Sequence, residues 1–401
     1  MKKILILGGA EAQVPIIQAA KKEGYYAILC DRTTTNPGIR YADKHYQVST
    51  LDRDAVTRVA IEEKIDGVIS NSEPAMRNVS YIAEEMHLRG NSVSGLEMLL
   101  SKDRFRSLQK QVGVYAPEHY IVDNEPEFLK VAANMQCPFV VKPAASSGSR
   151  GTTMVSFYDK EELKKIYRIN ADYSIDNCCV IEEYVDMPSL TVIEGDLFVL
   201  NKEILWDGLF FNSRSRITPK LPMTYSIPYR TDPLKLIEIQ DALSRLLDAA
   251  DFTFGELNVE MYFTEDQRLF VIEINPRQGG AGIPAFVFRH CGVDMNRLLV
   301  TTAVNDDGYY NALKQHNREC NYISRHSVFA HSPGVYKGIS CSPVIQYYVN
   351  NIEERVSCGD KVEECSNGTD VLAFVDLKFE SYELQHQYCE DLEKYIKPII
   401  V

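Results

Sequence analysis

The spacing of hydrophobic and polar positions changes along the chain, and the changes divide it into predicted units. In residues 1–100, short apolar runs alternate with helix-period segments. "KILILGG" predicts a strand ending in glycines, "QVPIIQAAKKEG" a helix closed by Gly24, and "YYAILCD" a second strand ending at Asp31. "DRDAVTRVAIEEKI", "DGVISN" and "EPAMRNVSYIAEEMHL" continue as helix, strand, helix, with Asp52 or Asp54 near the first cap. Alternating strands and helices with short links predict a parallel sheet. Residues 101–190 read as a second unit: helix "SKDRFRSLQKQVG" with Ser101 as N-cap and Gly113 at its end, then an N-x-x-E capping box at Asn124. Strand "CPFVVKP", loop "AASSGSRGT", strand "TMVSF", helix "DKEELKKIYRI" and strand "CCVIEEYV" follow. Residues 191–305 predict an antiparallel sheet backed by a helix. A strand pair turns at Asn201-Lys202, Asp232 and Pro233 open an amphipathic helix, and "GELNVEMYFT" and "RLFVIEIN" are the last strands. Residues 306–401 are less periodic and read as a small C-terminal cap of short β-segments closed by the helix "SYELQHQYCEDLEKYI". The predicted fold class is α/β and α+β.

One strand has an unusual polar face. Val271-Ile272-Glu273-Ile274-Asn275 alternates, so Glu273, Asn275 and Arg277 are predicted to leave one face together. "NVEMYF" is the neighbouring strand, which places Glu260 beside Glu273. Paired carboxylates repel unless a cation lies between them. With the Asn275 amide oxygen they form a hard-oxygen set suited to Mg²⁺ or Mn²⁺, and Mg²⁺ expects phosphate among its other ligands. Arg277 keeps its charge and suits a phosphoryl or carboxylate oxygen. The plain alternative is a solvated sheet face with a surface ion pair.

A phosphate-binding side is also visible. Lys142 ends a buried strand and is followed by Ser146-Ser147-Gly148-Ser149-Arg150-Gly151. A lysine and a mobile Gly/Ser loop supply a point charge and backbone N–H groups. No Lys-Ser/Thr follows the glycines, so this is not a Walker motif. "VIEEYV" ends a strand with Glu182 and Glu183, which offers backbone groups to a base and an acid to a ribose. "GGAEAQ" after the first strand departs from G-x-G-x-x-G, which weakens a dinucleotide site there.

Composition narrows the function. A net charge of −13 argues against a general nucleic-acid binder and against an anionic membrane surface. The apolar run Ile4–Leu7 is too short for a signal peptide, and no stretch approaches a membrane span. The ten cysteines lack a Cys-x-x-Cys, and Cys178-Cys179 read as structural, which predicts a reduced cytoplasmic protein. His326 and His331 read as packing or surface residues.

The order Lys102, Lys142 with its loop, Glu182-Glu183-Tyr184-Val185, Glu260, then Glu273-x-Asn275-x-Arg277 resembles the ATP-grasp superfamily over about residues 1–300. The branch it resembles holds carbamoyl-phosphate synthase, biotin carboxylase and phosphoribosylamine–glycine ligase. The resemblance implies an N-terminal α/β domain before a two-lobed ATP-grasp domain. It implies that Lys102 and Lys142 hold the α- and β-phosphates, and that the loop with Ser146, Ser147, Gly148, Ser149 and Gly151 covers them. It assigns Glu182, Glu183, Tyr184 and Val185 to the adenine hinge, and Val140 and Ile272 to the adenine walls. Glu260, Glu273 and Asn275 match the ligands of Mg²⁺ (or Mn²⁺), two ions in number. Arg277 faces an acyl phosphate, and Lys142, Asn275 and Arg277 are the implied catalytic set. The usual G-x-E after the hinge is missing, since Met187 and Ser189 stand there. Ribose contact is therefore expected from Glu183 or Glu194. "QGGAGIPAF" replaces the acidic stretch of biotin carboxylase, and Gly279 leaves room for a bulkier substrate. Arg214, Arg216 and Lys220 follow a strand toward the same cleft, and at least one arginine is expected to bind a substrate anion. Arg289 and His290 are weaker candidates, the histidine reading as packed. The implied activity is an ATP-dependent carboxylate–amine ligase acting through an acyl phosphate and releasing ADP and phosphate. Its partners are small-molecule carboxylates and amines, without nucleic acid or membrane, and the superfamily suggests a homodimer. The alternatives are a non-catalytic ATP-binding protein of this superfamily and a Rossmann-type oxidoreductase.

Overall fold

The computed structural model describes residues 1–144, 151–174, 177–218, 221–280, 282–315, 318 and 320–401. The first sheet is parallel, with β1 (Lys3–Leu7), β2 (Tyr26–Cys30), β3 (Lys44–Tyr46) and β4 (Gly67–Ile69) in the order β3-β2-β1-β4. Helices α1 (Val14–Lys22), α2 (Arg53–Glu63) and α3 (Met76–Glu85) cover it. Asp52 caps α2 by accepting from Ala55 N. The polar, three-residue β3 had no legible pattern. Nor did α4 (Val93–Leu100), which runs almost directly into α5 (Lys102–Gln111). Ser101 stands at the N-cap of α5, as expected, but makes no cap bond; its Oγ donates to Asp103 at 2.6 Å instead.

The second sheet is antiparallel. β5 (His119–Val122), α6 (Glu125–Ala132), β6 (Phe139–Pro143), β7 (Thr153–Val155), α7 (Lys160–Tyr173) and β8 (Cys179–Glu183) give the strand order β5-β8-β6-β7. Asn124 caps α6 as expected, accepting from Glu127 N at 2.9 Å, but the return bond to Glu127 Oε2, at 3.2 Å, comes from its side-chain Nδ2 rather than from the backbone N–H of a full capping box.

The third sheet is larger than its sequence suggested. It begins with β9 (Thr191–Leu200), β10 (Glu203–Leu205), β11 (Leu209–Arg214) and β12 (Pro222–Ile227). Asn201 and Lys202 form the turn, with φ of 52° and 69°, which suits a tight hairpin. Next come α8 (Pro233–Ala249), β13 (Phe254–Phe263), β14 (Leu269–Asn275), α9 (Ile283–Cys291), α10 (Met295–Ala303) and α11 (Gly308–Gln315). The chain continues through β15 (Tyr322–Val328), β16 (Gly334–Cys341), α12 (Pro343–Gln346), β17 (Val349–Glu354), β18 (Lys361–Val362), β19 (Ala373–Phe379), α13 (Tyr382–Cys389) and β20 (Ile396–Ile400). The sheet runs β14-β13-β9-β11-β12-β15-β19-β17, with β10 on β9, so three strands from beyond residue 305 extend it. The closing helix stops at Cys389, and the chain returns as β20 against β16.

The two faces of this sheet differ. Leu257, Val259 and Met261 of β13 pack with Leu243 and Leu246 of α8. On the opposite face Phe198, Phe210 and Phe254 meet Ile283 and Phe286 of α9 and Leu298 of α10, in a core that also holds Ile16 and Ile17 of α1. The N-terminal sheet and the large sheet are thus packed as one body. Among the described residues no helix is long and apolar enough to cross a membrane.

Asn91 fastens that junction. Its Nδ2 donates to Phe254 O at 2.6 Å, and its Oδ1 accepts from Thr253 N at 2.8 Å and Phe254 N at 3.0 Å. Asn91→Ala leaves these buried backbone groups unpaired and is expected to destabilise the fold by about 2–3 kcal/mol in chemical denaturation.

Candidate active site

The register brings the acids together. Glu260 pairs with Glu273 on one side and with Glu194 on the other, so three carboxylates cross β9, β13 and β14 in one row. A second row runs beside it, where Asn258 pairs with Asn275 and with Asp196. Directly opposed residues on neighbouring strands have Cβ atoms roughly 5 Å apart. The alternation carrying Glu273 and Asn275 has an irregularity at one end. A register shift follows Glu260, where Glu260 pairs with Glu273 but Met261 pairs with Val271. Val271 and Ile274 both enter the α8 core, while Ile272 and Glu273 remain half-buried outside it. The extra residue of this bulge is Ile272.

Carboxyls that Arg214 and Arg277 balance only in part dominate the rows. Burial pushes the Glu260 carboxyl well above its usual range, and Glu194 and Glu273 push it further. Glu194, 5 % exposed, rises to about 7, chiefly through burial, although Asn212 Nδ2 donates to it at 2.7 Å. Asp196 also rises to about 7 through burial, and among the described residues buried Glu256 has no hydrogen-bond partner at either oxygen. Asn275 donates from its amide nitrogen to Glu273 Oε1 at 2.8 Å, so its amide oxygen is not consumed in that bond. Among the described residues no group of three His, Cys, Asp or Glu side chains closes round one point. The donors these rows offer to a divalent cation would instead be two carboxylates, Glu260 and Glu273, and the Asn275 amide. This set fits a hard divalent cation, which would lower the Glu260 carboxyl that burial, Glu194 and Glu273 raise.

The small lobe supplies positive charge. Lys142 on β6 pairs with Glu182 on β8 at 2.5 Å, and Arg106 Nε of α5 reaches the other Glu182 oxygen at 3.1 Å. Arg106 and Glu182 are only 1 % and 2 % exposed. Burial alone would raise the Glu182 carboxyl, but Arg106 and Lys142 outweigh it and bring it to about 2. Burial holds Lys142 below the usual lysine range despite Glu182, and the positive charges of Arg106 and Lys102 add to that. Lys102 N donates to Ala144 O at 3.3 Å, so α5 starts beside the end of β6. Val140 pairs with Glu182 across the strands. Ser146, Ser147, Gly148 and Ser149 lie outside the described residues, as does Lys220. Gly151 has φ +79°, and a Cβ there would stand 2.9 Å from Pro143 Cγ, so glycine suits this end of the loop.

The hinge residues divide by direction. The Glu182 side chain serves Lys142 and Arg106, whereas Glu183 Oε2 accepts from Glu118 N at 3.3 Å. Tyr184 and Val185 are half-buried, and Val185 O accepts from Tyr262 OH at 2.9 Å.

Beyond β14, Arg277 Nη2 donates to Glu73 Oε2 at 3.1 Å. Gly279 N donates to both Asp196 oxygens at 2.8 and 2.9 Å. A Cβ on Gly279 would lie 2.8 Å from Asp196 Oδ1 and 2.9 Å from Asn258 Nδ2, so this approach requires glycine. Arg214 is near enough to the acid row for its charge to bear on Glu194 and Glu260. Arg216 is 59 % exposed and pairs with Asp391 at 3.0 Å, away from the row. Arg289 pairs with Asp376 at 3.5 Å. His290 is packed, its Nδ1 2.6 Å from Asn321 O, and His326 is buried beside Thr224. At the first sheet, Asp31 accepts from Gly9 N, Thr33 N and Asn36 Nδ2. The acid a dinucleotide fold would offer to ribose thus ties down its own loops here.

Residues 107–286 match the sequence profile described as "ATP-grasp domain". That stretch resembles an ATP-grasp domain. It is 24 % identical over 286 residues to a formate-dependent phosphoribosylglycinamide formyltransferase of Bacteroides thetaiotaomicron, covering 71 % of this chain and 72 % of that one. It is 24 % identical over 319 residues to the C-terminal section of the carbamoyl phosphate synthase large chain of Aquifex aeolicus, covering 76 % of this chain but only 58 % of the relative. An L-amino acid ligase from Bacillus licheniformis shares the fold at 17 % identity with a TM-score of 0.77, over 100 % of this chain and 99 % of that one. Residues 107–286 are thus similar in sequence to an ATP-grasp domain, and the whole chain shares the fold of the L-amino acid ligase.

Sequence reading missed Arg106, Asp196, Asn258 and Glu73. Asp196 and Asn258 carried a signal, because Glu194-x-Asp196 and Asn258-x-Glu260 repeat the alternation of Glu273-x-Asn275.

Glu182→Gln removes the one carboxylate between two buried cations and is expected to cost about 3–5 kcal/mol, read from thermal or denaturant unfolding. The native carboxyl is depressed, so its contribution is full above about pH 4.5 and fades as pH falls toward about 2. Wild-type stability should fall through that window more steeply than that of Glu182→Gln.

Proposed function

We propose that this protein is an ATP-dependent carboxylate–amine ligase that forms an amide through an acyl phosphate. The observation that carries the reading is the in-register pair Glu260–Glu273, continued along β14 by Asn275 and followed just beyond the strand by Arg277. Glu260, Glu273 and Asn275 would hold Mg²⁺ or Mn²⁺, two ions in number, which when bound supply charge neutralisation for the ATP phosphates. Lys102 and Lys142 take the α- and β-phosphates, and loop residues 146–151 close over them. Val140 and Ile272 flank the base, and the backbone of Glu182–Val185 reads it. A substrate carboxylate attacks the γ-phosphorus, and ADP leaves. Arg277 and Lys142 offset the negative charge that develops on the transferring group. An amine then attacks the acyl carbon, giving an amide and phosphate. Exclusion of water by the loop protects the acyl phosphate from hydrolysis. Arg214 is the better placed of the two described arginines to meet a substrate anion, because Arg216 is paired with Asp391.

The division proposed at the sequence level, 1–100, 101–190, 191–305 and 306–401, is kept for binding roles, with the last segment reinforcing the large sheet. The reaction is proposed to take place in the cytoplasm.

Glu273→Gln keeps the shape of the strand and removes one ligand charge. It is expected to reduce ATP turnover to background while the protein melts as the wild type does; turnover near the wild-type rate would overturn the metal assignment. Hydroxylamine with Mg-ATP and pooled carboxylic acids should yield a hydroxamate together with ADP. A hydroxamate with AMP would replace the acyl phosphate by an acyl adenylate.

A further inference from the structure

Arg277 is held from outside the large sheet. Its Nη2 donates to Glu73 Oε2 at 3.1 Å, and its Nη1 to Gln278 O at 3.0 Å. Glu73 opens the 3-10 turn Glu73–Ala75 just after β4. The carboxyl ends of parallel strands are where such sheets present groups to ligands. Gln13 and Asn71 stand at the same edge, joined side chain to side chain at 2.5 Å. The N-terminal sheet thus places a carboxylate against the guanidinium that follows the metal ligands on β14.

The pair is neither core nor open surface. The side chains of Arg277 and Glu73 are 20 % and 17 % exposed, so both remain within reach of a ligand. A partly exposed ion pair of this kind binds weakly and exchanges partners readily. When a substrate oxyanion takes Arg277, Glu73 loses its countercharge while more than four-fifths buried. A carboxylate left in that position without a cation is unfavourable. The same cleft face already carries Glu194, Asp196, Glu260 and Glu273, which add negative potential. A ligand that brings only negative charge therefore leaves Glu73 without a partner. A ligand that brings an anion and a cation a few bonds apart satisfies both sides at once.

We infer that the acid substrate is a zwitterion, an α-amino acid whose carboxylate faces Arg277 and whose ammonium group is received by Glu73. The inference rests on the ligase reading for the role of Arg277 and adds the class of acid to it. Glu73 is then a specificity residue contributed by the N-terminal sheet. It discriminates through charge rather than through side-chain shape, so acids that lack the ammonium group are selected against.

The test is a matched panel. Wild-type protein, Mg-ATP and hydroxylamine are incubated with α-amino acids and with their des-amino counterparts, such as alanine beside propionate. Hydroxamates from amino acids should exceed those from the des-amino acids at least tenfold. Glu73→Gln should lower that ratio at least tenfold with the KM for ATP unchanged, and Glu73→Asp should restore part of it. Equal use of both acid classes by the wild type would overturn the inference. So would a Glu73→Gln variant that loses activity on both classes equally, because that is the mark of a residue that only steadies Arg277. If neither class gives a hydroxamate, the ligase reading fails, and calorimetric titration of amino acids into the protein with Mg-ADP decides separately. Amino-acid binding that Glu73→Gln removes supports the zwitterion site; no binding, or binding indifferent to that substitution, overturns it.

Discussion

Like charge crowded on one sheet face is the constraint on which this molecule depends. Sheet pairing places Glu194, Glu260 and Glu273 side by side, and the strand register leaves them no room to separate. Carboxylates so arranged either take up protons or require positive charge nearby. The surroundings provide it in part, from Arg214 near Glu194 and Glu260 and from Arg277 two positions beyond Asn275. The remainder is met by protons or by a bound cation. A folded state that leaves charge unbalanced in this way is poised to bind cations and the phosphates that accompany them.

The small lobe solves the opposite problem. Glu182 lies between Arg106 and Lys142, so two buried cations share one carboxylate. Arg106 also donates to Val271 O of β14 at 3.3 Å, and Gln109 of the same helix donates to that oxygen at 2.9 Å. Helix α5 therefore begins with Lys102 and, one turn later, sends Arg106 to both Glu182 of β8, the partner of Lys142, and the backbone of β14. The positive and negative halves of the site are joined through a single helix. Buried ion networks of this kind contribute little net stability compared with apolar packing. Here the network fixes where a lysine points.

How much was legible in the sequence follows from the range of each interaction. Period-two spacing exposed Glu273, Asn275 and Arg277, because a strand repeats every second residue, and proximity in sequence paired them with Glu260. The capping residues Asp52, Asn124 and Asp232 were legible for the same reason, since a cap is decided within three residues. Glu194 drew notice only as a ribose contact, because its place in the acid row depends on β9 pairing with a strand more than sixty residues away. Arg106 resembles any surface cation on a short helix until Glu182 is folded against it. Glu73 lies in a proline turn on another sheet, and no local rule connects it to Arg277. The strands beyond residue 305 were read as a separate cap because β17 and β19 have mixed patterns, and their place in the large sheet is set by β15 rather than by their own residues.

The bulge at Ile272 has a consequence for the nucleotide as a measured object. In a regular strand an apolar wall and an acid on the same face stand two residues apart, and either can be exchanged with little effect on the other. Here one extra residue makes Ile272 and Glu273 immediate neighbours outside the α8 core. In the proposed site the first touches the base and the second the metal. The distance between base and phosphate chain is set by the covalent bonds of the nucleotide, and these two adjoining residues act as a ruler cut to it. A one-residue deletion in β14 would move both marks on that ruler together.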